Sequence, residues 1–342
     1  MNINKKNNTL MILSIPVVFL IICIGTSIGS SNISIMDIIS IIGNKVFNIP
    51  LSSGIDPKDV SIIWSIRLPR VLLAFVVGGA LAASGAVVQS VLKNPLASPY
   101  TLGVSSGASL GVGLIIVLGV SIPFLGNFTL PLVGFLCSLL TMIIVLTFAS
   151  KVDKGLSNNT IILSGMVFSL FFNALLTTIT ALFTEKIEAI TMWQMGSFSM
   201  RGWSYLKGGF PFFILGIIGI MMYCKEMDVL TFGEEQAKSI GVEAEKVKKR
   251  LFLFTAVLTG AAVAISGTIG FVDLIAPHMV RKIFGSKHSN VIPMSVVFGG
   301  GLMVITDLVA RTIIIPSELP VGAITAIIGA PFFAYLYFKK SK

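Results

Sequence analysis

Residues 71–92, VLLAFVVGGALAASGAVVQSVL, run from Val71 to Leu92 without one ionisable side chain. A helix closes its own backbone hydrogen bonds, and about 20 apolar residues are enough to cross the hydrocarbon of a bilayer. Comparable runs recur near 10–29, 101–120, 128–149, 160–183, 208–223, 291–315 and 321–338. Over 342 residues, 54% are hydrophobic and 12% charged, and the mean hydropathy is +0.94. Soluble domains carry about 25% charged residues. The sequence therefore predicts an all-α polytopic membrane protein. Its net charge of +10 sits in short loops between apolar runs, which gives topology and does not make a nucleic-acid stripe.

A further apolar stretch, 251–280, is interrupted by Ser266-Gly267-Thr268 and by Asp273. It reads as one long span or as a span followed by a short one, for nine or ten crossings. Loop charge separates these. With ten spans and both termini inside, 17 of the 25 Lys and Arg are cytoplasmic and 8 external; with nine, the division is 12 to 13. The bias of Lys and Arg toward the cytoplasmic side favours ten. Lys151, Lys154, the segment 224–250, Arg281, Lys282, Lys287 and the Lys339/Lys340/Lys342 tail then lie inside. Residues 30–70, 121–127, 184–207 and the turn around 311–320 lie outside, where Trp193 and Trp203 suit the headgroup boundary. Lys5 and Lys6 ahead of Leu10 resemble a signal peptide, but no small-x-small site follows, and Leu20-Ile21-Ile22-Cys23 lacks the small residue of a lipoprotein site. The first span is expected to be retained, within a single transmembrane domain, 1–342.

Gly78, Ala82 and Ala86, and Gly103, Gly107 and Gly111, place small residues on one helix face, the pattern of close helix packing in lipid. Cys23, Cys137 and Cys224 are too scattered for a disulfide framework or a metal site, and two histidines, His278 and His288, supply neither a metal centre nor a catalytic set. No GxxxxGK[ST] occurs, so no ATP-hydrolysing loop is recognisable. Asp273 and Asp307 are the only acids in or near the apolar runs, and Asp307 has Arg311 one turn on. An ion-coupled carrier would normally hold more intramembrane charge.

Charge gathers in three places. Arg67-Leu68-Pro69-Arg70 opens the second span, with Pro69 expected in the first helical turn; Arg311 and Glu318 fall at the same external level. The guanidinium groups are expected to face external water, anchoring helix ends or gripping a partner's carboxylates. Within 224–250, apolar Val229, Leu230, Phe232, Ala237, Ile240, Val242 and Val247 are interspersed with Glu234, Glu235, Lys238, Glu243, Glu245 and Lys246, punctuated by Gly233 and Gly241. That reads as two short amphipathic helices joined by a tight turn, suited to a protein partner more than to anionic lipid. Pro277-His278 leads into Arg281 and Lys282; the histidine is expected to be a helix-terminus hydrogen-bonder.

Several of these stretches, in order, resemble one family: the permease subunits of ABC importers for iron–siderophore, haem and cobalamin. They are Arg67-Leu68-Pro69-Arg70, Gly78 to Gly85 with Gln89, Asn94-Pro95-Leu96-Ala97, and Leu102 to Ala108. Further on come Gly233-Glu234-Glu235 with Ala237 and Gly241, Pro277-His278 with Arg281, Asp307 with Ala310-Arg311, Glu318 to Gly322, and Gly329-Ala330-Pro331. The resemblance implies the type II permease fold with ten helices, a homodimer (or paralogous heterodimer) with the path at its interface, and two cytoplasmic ABC ATPase subunits. It further implies that Arg67, Arg70 and Arg311 receive acidic residues of an extracytoplasmic substrate-binding (lipo)protein. Leu230, Gly233, Glu234, Glu235, Ala237 and Gly241 would belong to the helices that couple to the ATPase. No cofactor is expected on the chain itself, ATP being bound by the partner, and the location implied is the bacterial plasma (inner) membrane. Met166, Asn173 and Thr177 of the fifth span are expected to line the path. Asp273 stands where the family usually has glycine. A buried unpaired carboxylate is costly, so Asp273 is expected to face water in the path or to pair with a neighbouring helix terminus. Ferric siderophore is the first choice of cargo, ahead of haem and cobalamin.

Overall fold

Because no water competes for backbone groups in lipid, each apolar run is driven to form a helix. A computed structural model describes residues 3–29, 33–52 and 54–340, and among the described residues there is no strand. The helices are α1 Ile3–Ser27, α2 Ile35–Phe47, α3 Pro57–Val91, α4 Val104–Leu118, α5 Thr129–Val152, α6 Asn158–Leu182 and α7 Ile187–Met195. They continue with α8 Trp203–Met221, α9 Cys224–Leu230, α10 Glu234–Ser239, α11 Ala244–Ser266, α12 Val272–Phe284, α13 His288–Thr312 and α14 Val321–Lys340. Seven of them, α1, α3, α5, α6, α8, α11 and α13, are long and apolar enough to cross a membrane; α4 and α14 are shorter apolar helices. Lys342 of the expected basic tail lies outside the described residues.

The ambiguous stretch 251–280 divides. Helix α11 stops at Gly267, whose φ of +78° suits glycine, and α12 starts after Phe271 at φ +70°. With 13 residues, α12 is about 20 Å long, short of the hydrocarbon thickness.

Helix α3 forms the hub. Its small-residue face does what its spacing predicts: a Cβ on Gly78 would run into the Gly299 carbonyl of α13, and one on Gly85 into the Asp273 backbone of α12. On α4, Gly107 and Gly111 sit against Thr141 and Cys137 of α5. Backbones approach here because no side chain intervenes, which is how helices associate where lipid removes the hydrophobic incentive.

The start of the second span is a correction. Pro69 lies in the first turn of the α-helical segment Leu68–Val91, as expected, but that segment does not open the helix: α3 begins twelve residues before Pro69 at Pro57 and passes through a π-helical segment, Ile62–Arg67. Proline in a helix interior removes one N–H and crowds the preceding turn. The wider register lets Leu68 N bond to Ile63 O and frees the Trp64 carbonyl. The Trp203 indole N–H donates to that carbonyl at 2.7 Å, its ring 5.0 Å from that of Trp64. Trp203 is thus a clasp between α3 and α8.

Candidate functional site

Arg67, the last residue of the π segment, and Arg70, one turn on, are both buried in the protein. Arg67 is 5% exposed and donates to the carbonyls of Thr26 at 3.3 Å and Ser27 at 2.9 Å; Arg311 donates to that of Gly25. These are the orphan carbonyls that close α1, and a cation there also meets the negative end of the helix dipole. Arg70 sits between two acids. Its Nε lies 3.1 Å from both Asp307 oxygens, Nη2 is 2.8 Å from Asp307 Oδ1, and Nη1 is 2.8 Å from Glu318 Oε1. Arg311 Nε stands 3.8 Å from Asp307 on its own helix. Burial alone would raise the Glu318 carboxyl, but the Arg70 hydrogen bond and the Arg70 and Arg311 charges hold it below the ordinary carboxylate range. The structure therefore brings the three arginines together and corrects their direction: each guanidinium is turned inward toward carbonyls and carboxylates, with Arg311 Nε left without a hydrogen-bond partner.

At the opposite end of the bundle, 224–250 forms the two expected short helices, α9 and α10, with Gly233 at φ +132° between them and Gly241 at φ +87° after them. Leu230 and Ala237 point inward and are buried. Glu234 is half-buried and pairs with Lys248 Nζ at 2.5 Å; Lys248, 1% exposed, also donates to Leu156 O and Asn158 Oδ1, both at 2.9 Å. One lysine thus bolts α10 to α11 and to the turn ahead of α6. What faces outward is Glu235, Gly241, Phe232 at 79% and Ile240 at 67% exposure. Sequence reasoning missed Lys248, which carries no local mark of burial in a loop rich in charge. Glu234→Gln is expected to lower stability by about 1 kcal/mol, having lost a charge-assisted bond, and Glu235→Gln to leave the melting temperature unchanged. Thermal unfolding of both variants checks this.

Between the two ends, Met166, Asn173 and Thr177 share one exposed face of α6 with Leu170. Asp273 lies elsewhere. It is 1% exposed, in the first turn of α12, and its Oδ2 accepts the hydroxyl of Ser98, the residue that caps the short 3-10 turn Pro99–Leu102. For Oδ2 the structure has the second of the two expected settings, pairing at a neighbouring helix terminus, while Oδ1 is buried with no hydrogen-bond partner. Asp273→Asn keeps an acceptor for Ser98 and is expected to melt within about 1 kcal/mol of wild type, whereas Asp273→Leu strands the hydroxyl and loses about 1–3 kcal/mol. Melting curves of the pair separate a bonded carboxylate from an idle one.

The FecCD transport family matches residues 17–339. The chain belongs to this family. FecCD relatives include the uncharacterized ABC transporter permease YvrB of Bacillus subtilis, 43% identical over 94% of this chain and 91% of its own length. The hemin transport system permease HmuU of Yersinia pestis is 38% identical over 81% of this chain and 84% of its own. Others are named for cobalamin and Fe(3+)-citrate import. A solved structure described as an inward-facing metal-chelate type ABC transporter superposes with a TM-score of 0.84 at 31% identity, covering 97% of this chain and 99% of that one. Among the described residues there is no grouping of three or more His, Cys, Asp or Glu that could hold a metal ion.

Proposed function

We propose that the chain is the single-domain transmembrane subunit of a binding-protein-dependent ABC importer that carries an iron chelate, ferric siderophore first, into the cytoplasm. Its dimer, of identical or paralogous chains, crosses the plasma membrane ten times per subunit, counting α12 with the seven long and two shorter apolar helices, with both termini inside. Two cytoplasmic ATPase subunits seat on the α9–α10 platform, and ATP is bound and hydrolysed there alone. An extracytoplasmic binding (lipo)protein docks at the opposite end, where Arg67, Arg70 and Arg311 supply positive charge just under the surface and Glu318 marks the rim. The exposed α6 face with Met166, Asn173 and Thr177 lines the path between subunits, and Asp273, buried behind it, holds α12 to the Pro99–Leu102 turn that packs on α6. The observation that carries this reading is the platform: two short helices bolted to the bundle through Glu234 and Lys248, presenting Phe232 and Ile240 outward, on a chain with no nucleotide-binding loop of its own. An equilibrium between open states moves only through differential affinity, and here both faces are shaped for partners that can supply it.

The test is uptake into vesicles holding the chain, its ATPase and its binding protein, with ferric citrate, a ferric hydroxamate, haemin and cyanocobalamin offered separately. ATP-dependent accumulation of an iron chelate is expected. Haemin or cyanocobalamin alone accumulating would reassign the cargo within the family. Uphill accumulation by the chain without an ATPase would make it an ion-coupled carrier and end the proposal.

A further inference from the structure

His288 opens α13, and both its backbone N–H and its ring Nδ1 meet one oxygen of Asp228 on α9, at 2.9 and 2.5 Å. A carboxylate accepts and does not donate, so Nδ1 carries the proton and Nε2 is left to accept. The Ser90 hydroxyl, 2.6 Å away near the end of α3, is its donor. Ser90 Oγ in turn accepts from Arg281 Nη2 at 3.1 Å, and the same nitrogen donates to Ala86 O at 3.0 Å. Arg281 Nη1 donates to Gln89 Oε1 at 2.5 Å, and the Gln89 amide donates to the Asp273 carbonyl at 3.2 Å. The bonds run outward from Arg281, through Ser90 and His288 to Asp228 one way and through Gln89 to the Asp273 carbonyl the other. His288 and Gln89 are 1% and 4% exposed. Apolar side chains would fill the same space without the desolvation such a network entails.

The chain of bonds joins four elements: α9 of the platform, α13, α3 and α12. At its far end α3 and α12 are in close backbone contact, Gly85 against Asp273, and Gln89 bonds the Asp273 carbonyl across the same crossing. A displacement of α9 therefore reaches the α3–α12 crossing through directional bonds. We propose that Asp228, His288, Ser90, Arg281 and Gln89 form a positioning relay that ties the platform to α12, so that nucleotide-driven movement of α9 resets the Asp273–Ser98 contact behind the path. This rests on the permease reading above.

The complex of chain and ATPase, reconstituted in vesicles, is assayed for ATP hydrolysis with and without chelate-free binding protein. Ser90→Ala is expected to keep assembly and basal hydrolysis and to lower the melting temperature only modestly, since His288 Nε2 loses its donor, yet to reduce the response to binding protein by about 3- to 30-fold, the range for mutations along a coupling route. Ser90→Thr, which keeps the hydroxyl, restores the response. His288→Gln combined with Ser90→Ala is no worse than the more affected single variant, since both cut one chain. A wild-type response in Ser90→Ala overturns the relay. So does a lost response that tracks a fallen melting temperature and is not restored by threonine. A wild-type complex indifferent to the binding protein refutes the permease reading itself, and the relay falls with it.

Discussion

An Arg70→Ala variant is expected to be less stable by about 3–5 kcal/mol, the usual consequence of removing one partner from a buried ion pair. Arg70 is 7% exposed and Asp307 is 1% exposed. Without the guanidinium, Asp307 keeps a charge in a site where its nearest remaining cation is Arg311 Nε at 3.8 Å, itself committed to the close of α1. Glu318 loses its partner at the same time. Lysine at position 70 is a poor substitute, because a point charge cannot span two carboxylates as the planar fork does. The double variant Arg70→Met with Asp307→Leu should recover most of the loss, since the penalty lies in the stranded charge and not in the missing attraction. Thermal unfolding in detergent, across the two single variants and the double, reads all of this. Wild-type melting of Arg70→Ala would mean that the cluster is solvated and the arginines are free for a docking partner, as the sequence alone suggests. Acid acts on the same cluster: with Glu318 held below its ordinary 4.5, its contribution is complete above that value and is lost as pH falls through the depressed one.

That contrast marks what a sequence reading reaches. Helical spans are legible because apolarity is a local property of a run such as 71–92, and the two platform helices because Gly233 and Gly241 punctuate a short amphipathic pattern. The small-residue faces at Gly78 and Gly107 are legible for the same reason. The direction of Arg70 is not, because its acids lie 237 and 248 positions away and nothing near it announces them. The π register before it is equally hidden: Pro69 reads as a helix start, and only the Trp203 indole, 139 positions on, shows what the freed carbonyl binds. Within 224–250 the apolar set is visible, but which members face out depends on Lys248 reaching back to Leu156. Asp228 and His288, 60 positions apart, carry no spacing that links them. The break between α11 and α12 is the intermediate case, since Gly267 and Asp273 signal an interruption without fixing the length of the helix beyond it.

The same distinction makes Gly85→Ala the sharper probe of the interior. A Cβ built on Gly85 has the Asp273 O, C and Cα as its three nearest atoms, the latter two at 2.6 and 2.9 Å. All three are backbone. A side-chain end can rotate away; a carbonyl in the first turn of α12 moves only with the helix. Adding one methyl must therefore part α3 from α12, and the expected loss is about 3 kcal/mol or more, at the upper end of overpacking penalties. Gly202→Ala is the control, with nothing within 4 Å of its Cβ, and is expected to stay within about 0.5 kcal/mol of wild type. The displaced carbonyl is the one Gln89 holds at 3.2 Å, so the injury extends into the relay: response to the binding protein should fall along with melting temperature. Ser90→Ala is expected to lose the response with only a modest fall in melting temperature, and the comparison separates a helix pushed out of place from a helix merely disconnected. Melting of Gly85→Ala at the wild-type temperature would show that α12 yields freely against α3, which a device for passing movement between them cannot do.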